Sequence, residues 1–269
     1  MRKIIKGVIS HLWLIVQLLI IFIIPIEVYQ MNLSEIFIAK LELSVENIFL
    51  YVLLEHGDVG IAILTAVALW RFICIFNSKR IFNKNNVYNN YSYLWYIVFG
   101  KGLGFKKCSL VGVPIYLQFK LVMNDLFMEY EFGDIFEDEI EIGCKVFNEE
   151  QNTEEINVVV ADTYPIKKVQ IPDNKVQLYT IKVSRKNGND TNRYICPELA
   201  KKIVSHLRKM KTIKRVNIFM TTNPKNTYCI IDQAFKLHGR GNIKSIFVYQ
   251  QSDQGERKFL DRGICVYKV

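Results

Sequence analysis

Two apolar stretches within the first 77 residues constrain this chain more than any other feature. Gly7 to Ile26 reads GVISHLWLIVQLLIIFIIPI and holds no Asp, Glu, Lys or Arg. That is about twenty residues, the length a helix needs to cross a hydrocarbon core. His11, Gln17 and Pro25 are its only awkward members, and a spanning helix tolerates such residues near its ends or toward a partner. Arg2, Lys3 and Lys6 resemble the basic start of a signal peptide, but Glu27, Val28, Tyr29 and Gln30 follow where a small-x-small cleavage site belongs. The expectation is an uncleaved anchor.

Val59 to Phe76 reads VGIAILTAVALWRFICIF and carries one charge, Arg71, near its end. An arginine there reaches the headgroups along its own methylenes, so the segment is a short second span. A buried core helix is the bland rival. Charge placement favours the span. Between the two segments, residues 27–58 hold Glu27, Glu35, Glu42, Glu46, Glu55 and Asp58 against Lys40 alone. The cations Arg2, Lys3, Lys6, Arg71, Lys79, Arg80 and Lys84 lie on the other sides. The positive-inside rule then predicts two spans in a cell's inner membrane, both termini cytoplasmic and loop 27–58 outside. Residues 1–77 are read as the membrane region, 78–109 as a linker with the aromatic segment YLWYIVF, and 110–269 as a cytosolic domain.

The whole chain carries a formal charge of +9, and without its acidic loop the remainder is more basic still. Such a surplus suits a phosphate-bearing ligand, nucleic acid or an anionic membrane face, although solubility alone also accounts for a moderate excess. The six cysteines form no C-x-x-C pair. That argues against a zinc ribbon or disulfide framework and fits a reducing compartment.

Leu110 to Val122 is a long β-prone run, and Glu129 to Glu141 is acidic enough to be a solvated face. From Ile156 the pattern becomes regular. INVVVA (Ile156–Ala161) predicts a strand buried on both faces, and QLYTIKV (Gln177–Val183) a second. Ser184 to Arg193 reads as a loop. Pro197 opens a helix to about Lys211, with Leu199, Ile203, Leu207 and Met210 on one face. RVNIFM (Arg215–Met220) is a strand, Asn226 to His238 a helix stopping at Gly239, and IKSIFVY (Ile243–Tyr249) a strand. Strand, helix, strand at this spacing predicts parallel pairing in a Rossmann-like three-layer α/β domain.

In open parallel sheets, ligands bind beyond the carboxyl ends of the strands. Three polar clusters fall there: Asp162 with Thr163 and Tyr164, then Ser184 with Arg185 and Lys186, then Thr221, Thr222, Asn223, Lys225, Asn226 and Thr227. The last offers hydroxyls, a lysine and the N–H groups of a helix start, which suit an anion. Turn-forming residues are expected at strand ends whatever the function, so each cluster alone has an equally good structural explanation. No glycine-rich phosphate fingerprint is present, and no cofactor or metal is expected. His11 lies in a span and His56 in the external loop, while His206 and His238 have no neighbouring Cys, Asp or Glu at ligand spacing, so no catalytic residue is assigned.

The order of a helix, then VNIFMTTNPKNTYCIIDQAFKLHG, then a strand ending in FVYQQ, resembles the second half of SAVED domains, relatives of the CARF sensors. The likeness covers roughly residues 155–255; residues 91–155 match the first half of such a domain poorly. SAVED and CARF domains bind cyclic oligonucleotides in bacterial anti-phage (CBASS-like) systems, and some carry a pair of transmembrane helices. The resemblance implies a membrane effector, not an enzyme, that binds a cyclic oligonucleotide, forms a homo-oligomer and disrupts the bilayer. Thr221 to Thr227 would touch the nucleotide, Arg185 and Lys186 its phosphates, and no DNA or RNA duplex is an expected partner. Trp70 and Arg71, at the inner end of the second span, would pass domain motion to the membrane. A membrane-anchored nucleotide-dependent enzyme and a membrane scaffold remain as alternatives.

Overall fold

The computed structural model describes residues 2–34, 56–84, 91–137, 140–150, 154–185, 193–210, 212–236, 241–252 and 255–269, with side chains from His11 onward. The middle of the loop between the apolar segments, Asp138, Glu139, Lys186, His238 and Gly239 lie outside the described residues. The chain forms two compact units, Met1–Val87 with Leu94–Cys108, and Tyr88–Tyr93 with Ser109–Val269.

The first unit is a helical hairpin. α1 (Arg2–Gln30) runs unbroken through Pro25, and α2 (Gly57–Ser78) takes in the second apolar segment. Both are long and apolar enough to cross a membrane. Their side chains give the direction of packing. Gln17 bonds to Asn77, and Ser34 bonds to Asp58, so the two helices run antiparallel, with the middle of α1 beside the end of α2. Asp58 accepts from the Ser34 backbone N–H at 2.9 Å and from its hydroxyl. The two polar clasps are nineteen residues apart along α2, about 28 Å at 1.5 Å per residue.

The aromatic segment joins this unit. It forms a short helix (Tyr93–Trp95) that runs into a π-helical turn (Tyr96–Lys101). Tyr96 is fully buried, while Leu94 stays exposed. The following turn docks on α2. Trp70 Nε1 donates to the Gly102 carbonyl at 2.9 Å, and Asn77 Nδ2 to the Leu103 carbonyl at 2.9 Å. Strands β1 (Ile81–Phe82) and β2 (Lys107–Ser109) then pair in parallel, Ile81 with Lys107 and Phe82 with Cys108.

In the second unit, α3 (Ile115–Met123) precedes a short strand, β3 (Glu129–Glu131), and then β4 (Ile142–Phe147) and β5 (Glu155–Ala161). A four-residue turn, α4 (Asp173–Val176), leads to β6 (Thr180–Arg185). Next come α5 (Pro197–Lys209), β7 (Arg215–Thr221), α6 (Pro224–Ile230), which continues into a π turn (Ile231–Phe235), β8 (Ser245–Tyr249) and β9 (Ile264–Lys268). The six-stranded sheet has the order β4-β6-β5-β7-β8-β9. Its four central strands are parallel, and both edge strands are antiparallel.

An α/β domain following two apolar helices is therefore present, with differences from the expected detail. The run Leu110–Val122 folds as a helix from Ile115, not as a strand. Leu117, Gln118, Phe119, Leu121 and Val122 are all buried, and a helix buried nearly all round shows no 3.6-residue alternation to read. The strand expected from Gln177 begins at Thr180 and extends through Ser184 and Arg185, which are ladder residues opposite Gly143 and Ile142. The edge strands β4 and β9 escaped the pattern because they are only half buried. Helices α3, α5 and α6 pack together on one face. On the other face the connections after β5 and β8 take the place of an expected helical layer, setting Ile166 and Phe259 against Val159, Phe219 and Tyr249.

Candidate functional site

Strand order fixes where a cleft opens. From β5 the chain crosses to β6 on one side, then returns past β5 to β7 on the other. Connections leaving adjacent strands in opposite directions cannot both cover the sheet edge, so a crevice forms at the carboxyl ends of β5 and β7. A cavity of about 360 Å³ lies there. Thr163 and Tyr164 line it after β5, Thr221 at the end of β7 with Thr222 and Asn223 beyond it, and Gln250 and Gln251 after β8. The two central loops are tied to each other. The Thr163 N–H donates to the Thr221 carbonyl at 2.8 Å, and the Thr221 hydroxyl to the Tyr164 carbonyl at 2.6 Å.

The remaining wall comes from the turn 111–115 and Gln118 of α3, with Arg193 at the rim. Arg257 reaches the same region, its guanidinium 4.9 Å from the centre of the Tyr164 ring. Tyr249 is held by stacking on Phe219 at 4.5 Å, whereas Tyr164 is 48% exposed. The cavity thus offers hydroxyls, amides, an exposed aromatic ring and nearby arginines, a set suited to a polar anionic ligand with a flat ring.

Beneath it lies a buried polar knot centred on Asp162. Its Oδ2 accepts from Asn226 Nδ2 at 2.8 Å, from Asn223 Nδ2 at 3.2 Å and from the Asn223 backbone N–H at 3.4 Å. Arg185 Nε donates to the Asp162 carbonyl at 3.2 Å and lies 3.7 Å from its carboxylate. Burial pushes the Asp162 carboxyl up from its ordinary range, against the opposing pull of Asn226, Asn223 and Arg185. Asn223 also caps α6, its Oδ1 accepting from the Asn226 N–H at 3.0 Å. Those N–H groups were expected to face an anion. The chain's own carboxylate and cap take them instead.

The sequence-predicted residues therefore separate. Thr163, Tyr164, Thr221, Thr222 and Asn223 are brought together on the cavity. Arg185, Asn226 and Thr227 are buried with internal partners: the Thr227 hydroxyl donates to the Asn223 carbonyl at 2.9 Å and meets that of Thr222 at 2.7 Å. Lys225 places its ammonium 4.5 Å from the Phe132 ring centre and 5.7 Å from that of Tyr228, and Ser184 sits in the β6 ladder. Arg193, Gln118 and the 111–115 turn went unassigned in the sequence. Their signals were slight: one arginine in a polar loop and one amide in an apolar run. The Gln250–Gln251 pair had surfaced only as the polar end of FVYQQ.

One pair invisible in the sequence is Cys144 and His206, with Sγ 3.7 Å from Nε2. Burial pushes the Cys144 thiol up, with Lys202 opposing, which favours the unreactive thiol. Among the described residues no group of three or more His, Cys, Asp or Glu side chains is arranged to hold a metal.

A family model described as the SMODS- and ubiquitin system-associated 2TM effector domain matches residues 1–266. The chain belongs to this family. It is accordingly a membrane protein whose two apolar helices are its spans. No curated protein matches it. Among solved structures it is similar to the Acinetobacter baumannii Cap4 SAVED/CARF-domain containing receptor with the cyclic trinucleotide 3'3'3'-cAAA, at 10% identity and a TM-score of 0.44. That match covers 65% of this chain and 43% of the receptor. A second structure of the same receptor matches at 10% identity and a TM-score of 0.38, covering 61% and 37%. The chain thus spans less than half the length of these solved relatives.

Proposed function

We propose that this chain is a non-enzymatic membrane effector switched by a cyclic oligonucleotide. The observation that carries this reading is the cavity at the β5–β7 crevice, built on the same chain as the two spans of a 2TM effector. Tyr164 offers a face for a base, and Arg193 and Arg257 supply charge for phosphates. Their side chains replace Arg185 and Lys225 in that role, because the latter two are engaged elsewhere. A cavity of about 360 Å³ is at the small end of ligand sites and suits one nucleotide of a ring. The rest of a cyclic ligand then presents the same chemistry to a second copy. A ligand that binds the assembled state more tightly than the single copy shifts the population toward it. Assembly gathers the spans and breaches the bilayer.

The charge pattern around the spans supports a topology with both termini and the sensor domain in the cytoplasm and the inner membrane as the target. The test uses the full-length chain in detergent and in liposomes. Cyclic di- and trinucleotides are titrated while binding, particle mass and dye leakage are followed. Binding with a rise in mass and leakage is expected. Absence of binding to every ring overturns the reading.

A further inference from the structure

Gln118 is 3% exposed on α3, between the fully buried Leu117 and Phe119. Packing alone favours an apolar side chain there, since a buried amide loses its water on both ends. Only one end is compensated. Nε2 donates to the Val113 carbonyl at 2.7 Å, while Oε1 has no hydrogen-bond partner. The bond to Val113 also fixes which way the amide points, because a flip would set two acceptors against each other. Gln118 and Val113 both line the cavity. Gln250 lines it too, and its buried Oε1 is likewise without a partner.

Gln118 and Gln250 both belong to the wall of the cavity, and each holds a buried acceptor that no group of the chain pairs. The ligand must bring donors to this wall. Phosphate oxygens are acceptors and are repelled there, so this wall does not face the phosphates. A ribose hydroxyl donates one proton. An exocyclic amine on a nucleobase donates two. The ring N–H of uracil is flanked by two carbonyls, which would face the same acceptors. The Tyr164 ring offers a surface on which the base stacks.

Resting on the function proposed above, we infer that Gln118, together with Gln250, reads the exocyclic amine of a base seated in the cavity. The ligand class is therefore a ring containing adenine, cytosine or guanine, and an all-uridine ring is rejected. A site with buried acceptors discriminates strongly against an analogue lacking the donor, because its acceptors then stay unpaired.

The full-length chain in detergent is titrated with cyclic trinucleotides made only of adenylate, cytidylate, guanylate, inosinate or uridylate. At least one amine-bearing ring is expected to bind tenfold or more tighter than the uridylate ring, on the order of one lost buried hydrogen bond. If that ring is adenylate, the inosinate ring, which replaces the amine by a carbonyl, falls with uridylate. Gln118→Met and, separately, Gln250→Met are expected to shrink the preference while thermal unfolding is followed in parallel. Gln250 is only half buried, so its variant tests the idea even if Gln118→Met folds poorly. Equal binding of the uridylate ring, or a preference unchanged in both variants, overturns the amine readout and leaves the proposed function standing. A loss on removal of the 2'-hydroxyl with no base preference reassigns the acceptors to ribose and likewise overturns it. Failure of every ring to bind defeats the function reading and this inference together.

Discussion

Gln17 and Asn77 exchange hydrogen bonds in both directions across the helical hairpin. Gln17 Nε2 reaches Asn77 Oδ1 at 3.3 Å, and Asn77 Nδ2 reaches Gln17 Oε1 at 2.9 Å. Both side chains are buried, and the same Asn77 Nδ2 lies 2.9 Å from the Leu103 carbonyl. One amide thus ties the spans to each other and to the turn at 102–104. A few residues further along the chain, Val111–Ile115 line the cavity.

Replacing either amide by leucine loosens the hairpin. Polar pairs between membrane helices contribute about 0.6 kcal/mol on average and up to about 2. A double-mutant cycle with Gln17→Leu and Asn77→Leu, read by denaturant unfolding in detergent, is expected to return a coupling in that range. A coupling of zero means the pair is not formed.

Gly104 lies at φ +81°, and a Cβ added there would stand 2.5 Å from the Cys74 Cα. The obstacle is backbone, so it cannot rotate away. Gly104→Ala is expected to lift the 102–104 turn off α2 and break the Trp70–Gly102 bond. Faster amide exchange at Gly104 and Phe105, whose N–H groups bond to Lys101 and Gly100, is the measurement.

Arg185 and Arg193 separate structure from binding. Arg185→Ala leaves the buried Asp162 without its cation, a change that costs about 3–5 kcal/mol when a buried pair loses one member. Its unfolding midpoint falls sharply. Arg193→Ala at the exposed rim is expected to leave the midpoint unchanged and to weaken binding of a cyclic trinucleotide about tenfold, the scale of one charge-assisted bond.

Glu155 gives the acid limb of stability. Burial alone would raise its carboxyl. Hydrogen bonds from Lys175 and Asn217, with the charges of Lys175 and Arg215, outweigh that and hold it below the ordinary 4.5. A depressed folded value contributes stability that is present above the unfolded value and lost as pH falls through the folded one. Glu155→Gln is expected to be less stable at pH 7 and to lose less stability than the parent as pH drops below 4.5. Thermal melts across pH 3–7 compare the two.

The residues that were legible are those whose signal is local. Apolar length with at most one charge marked the spans, and β-branched runs flanked by turns marked β5 and β7. Asn157 and Asn217 show where this stops. Each interrupts an apolar strand, yet the two face each other across β5 and β7, fully buried, with Asn217 Nδ2 3.2 Å from Asn157 Oδ1. Their partner lies sixty residues away, and nothing nearby in the chain announces it. α3 failed for the opposite reason, because burial on nearly every side erased its period.

By itself, the sequence determined that two helices cross a membrane and that a parallel α/β sheet follows, since both depend on composition and periodicity within one segment. It also placed polar residues at the carboxyl ends of the strands. Only the tertiary structure decided which of them line the cavity. Asp162 lies 61 residues from Asn223 and 64 from Asn226, yet its carboxylate accepts from the Asn223 backbone N–H and the Asn226 side-chain amide and withdraws both from the cavity. Gln118, lost in an apolar run, is set in the wall of that cavity by the packing of α3. Satisfaction of a polar group depends on what the fold brings beside it, and that is a property of the folded chain.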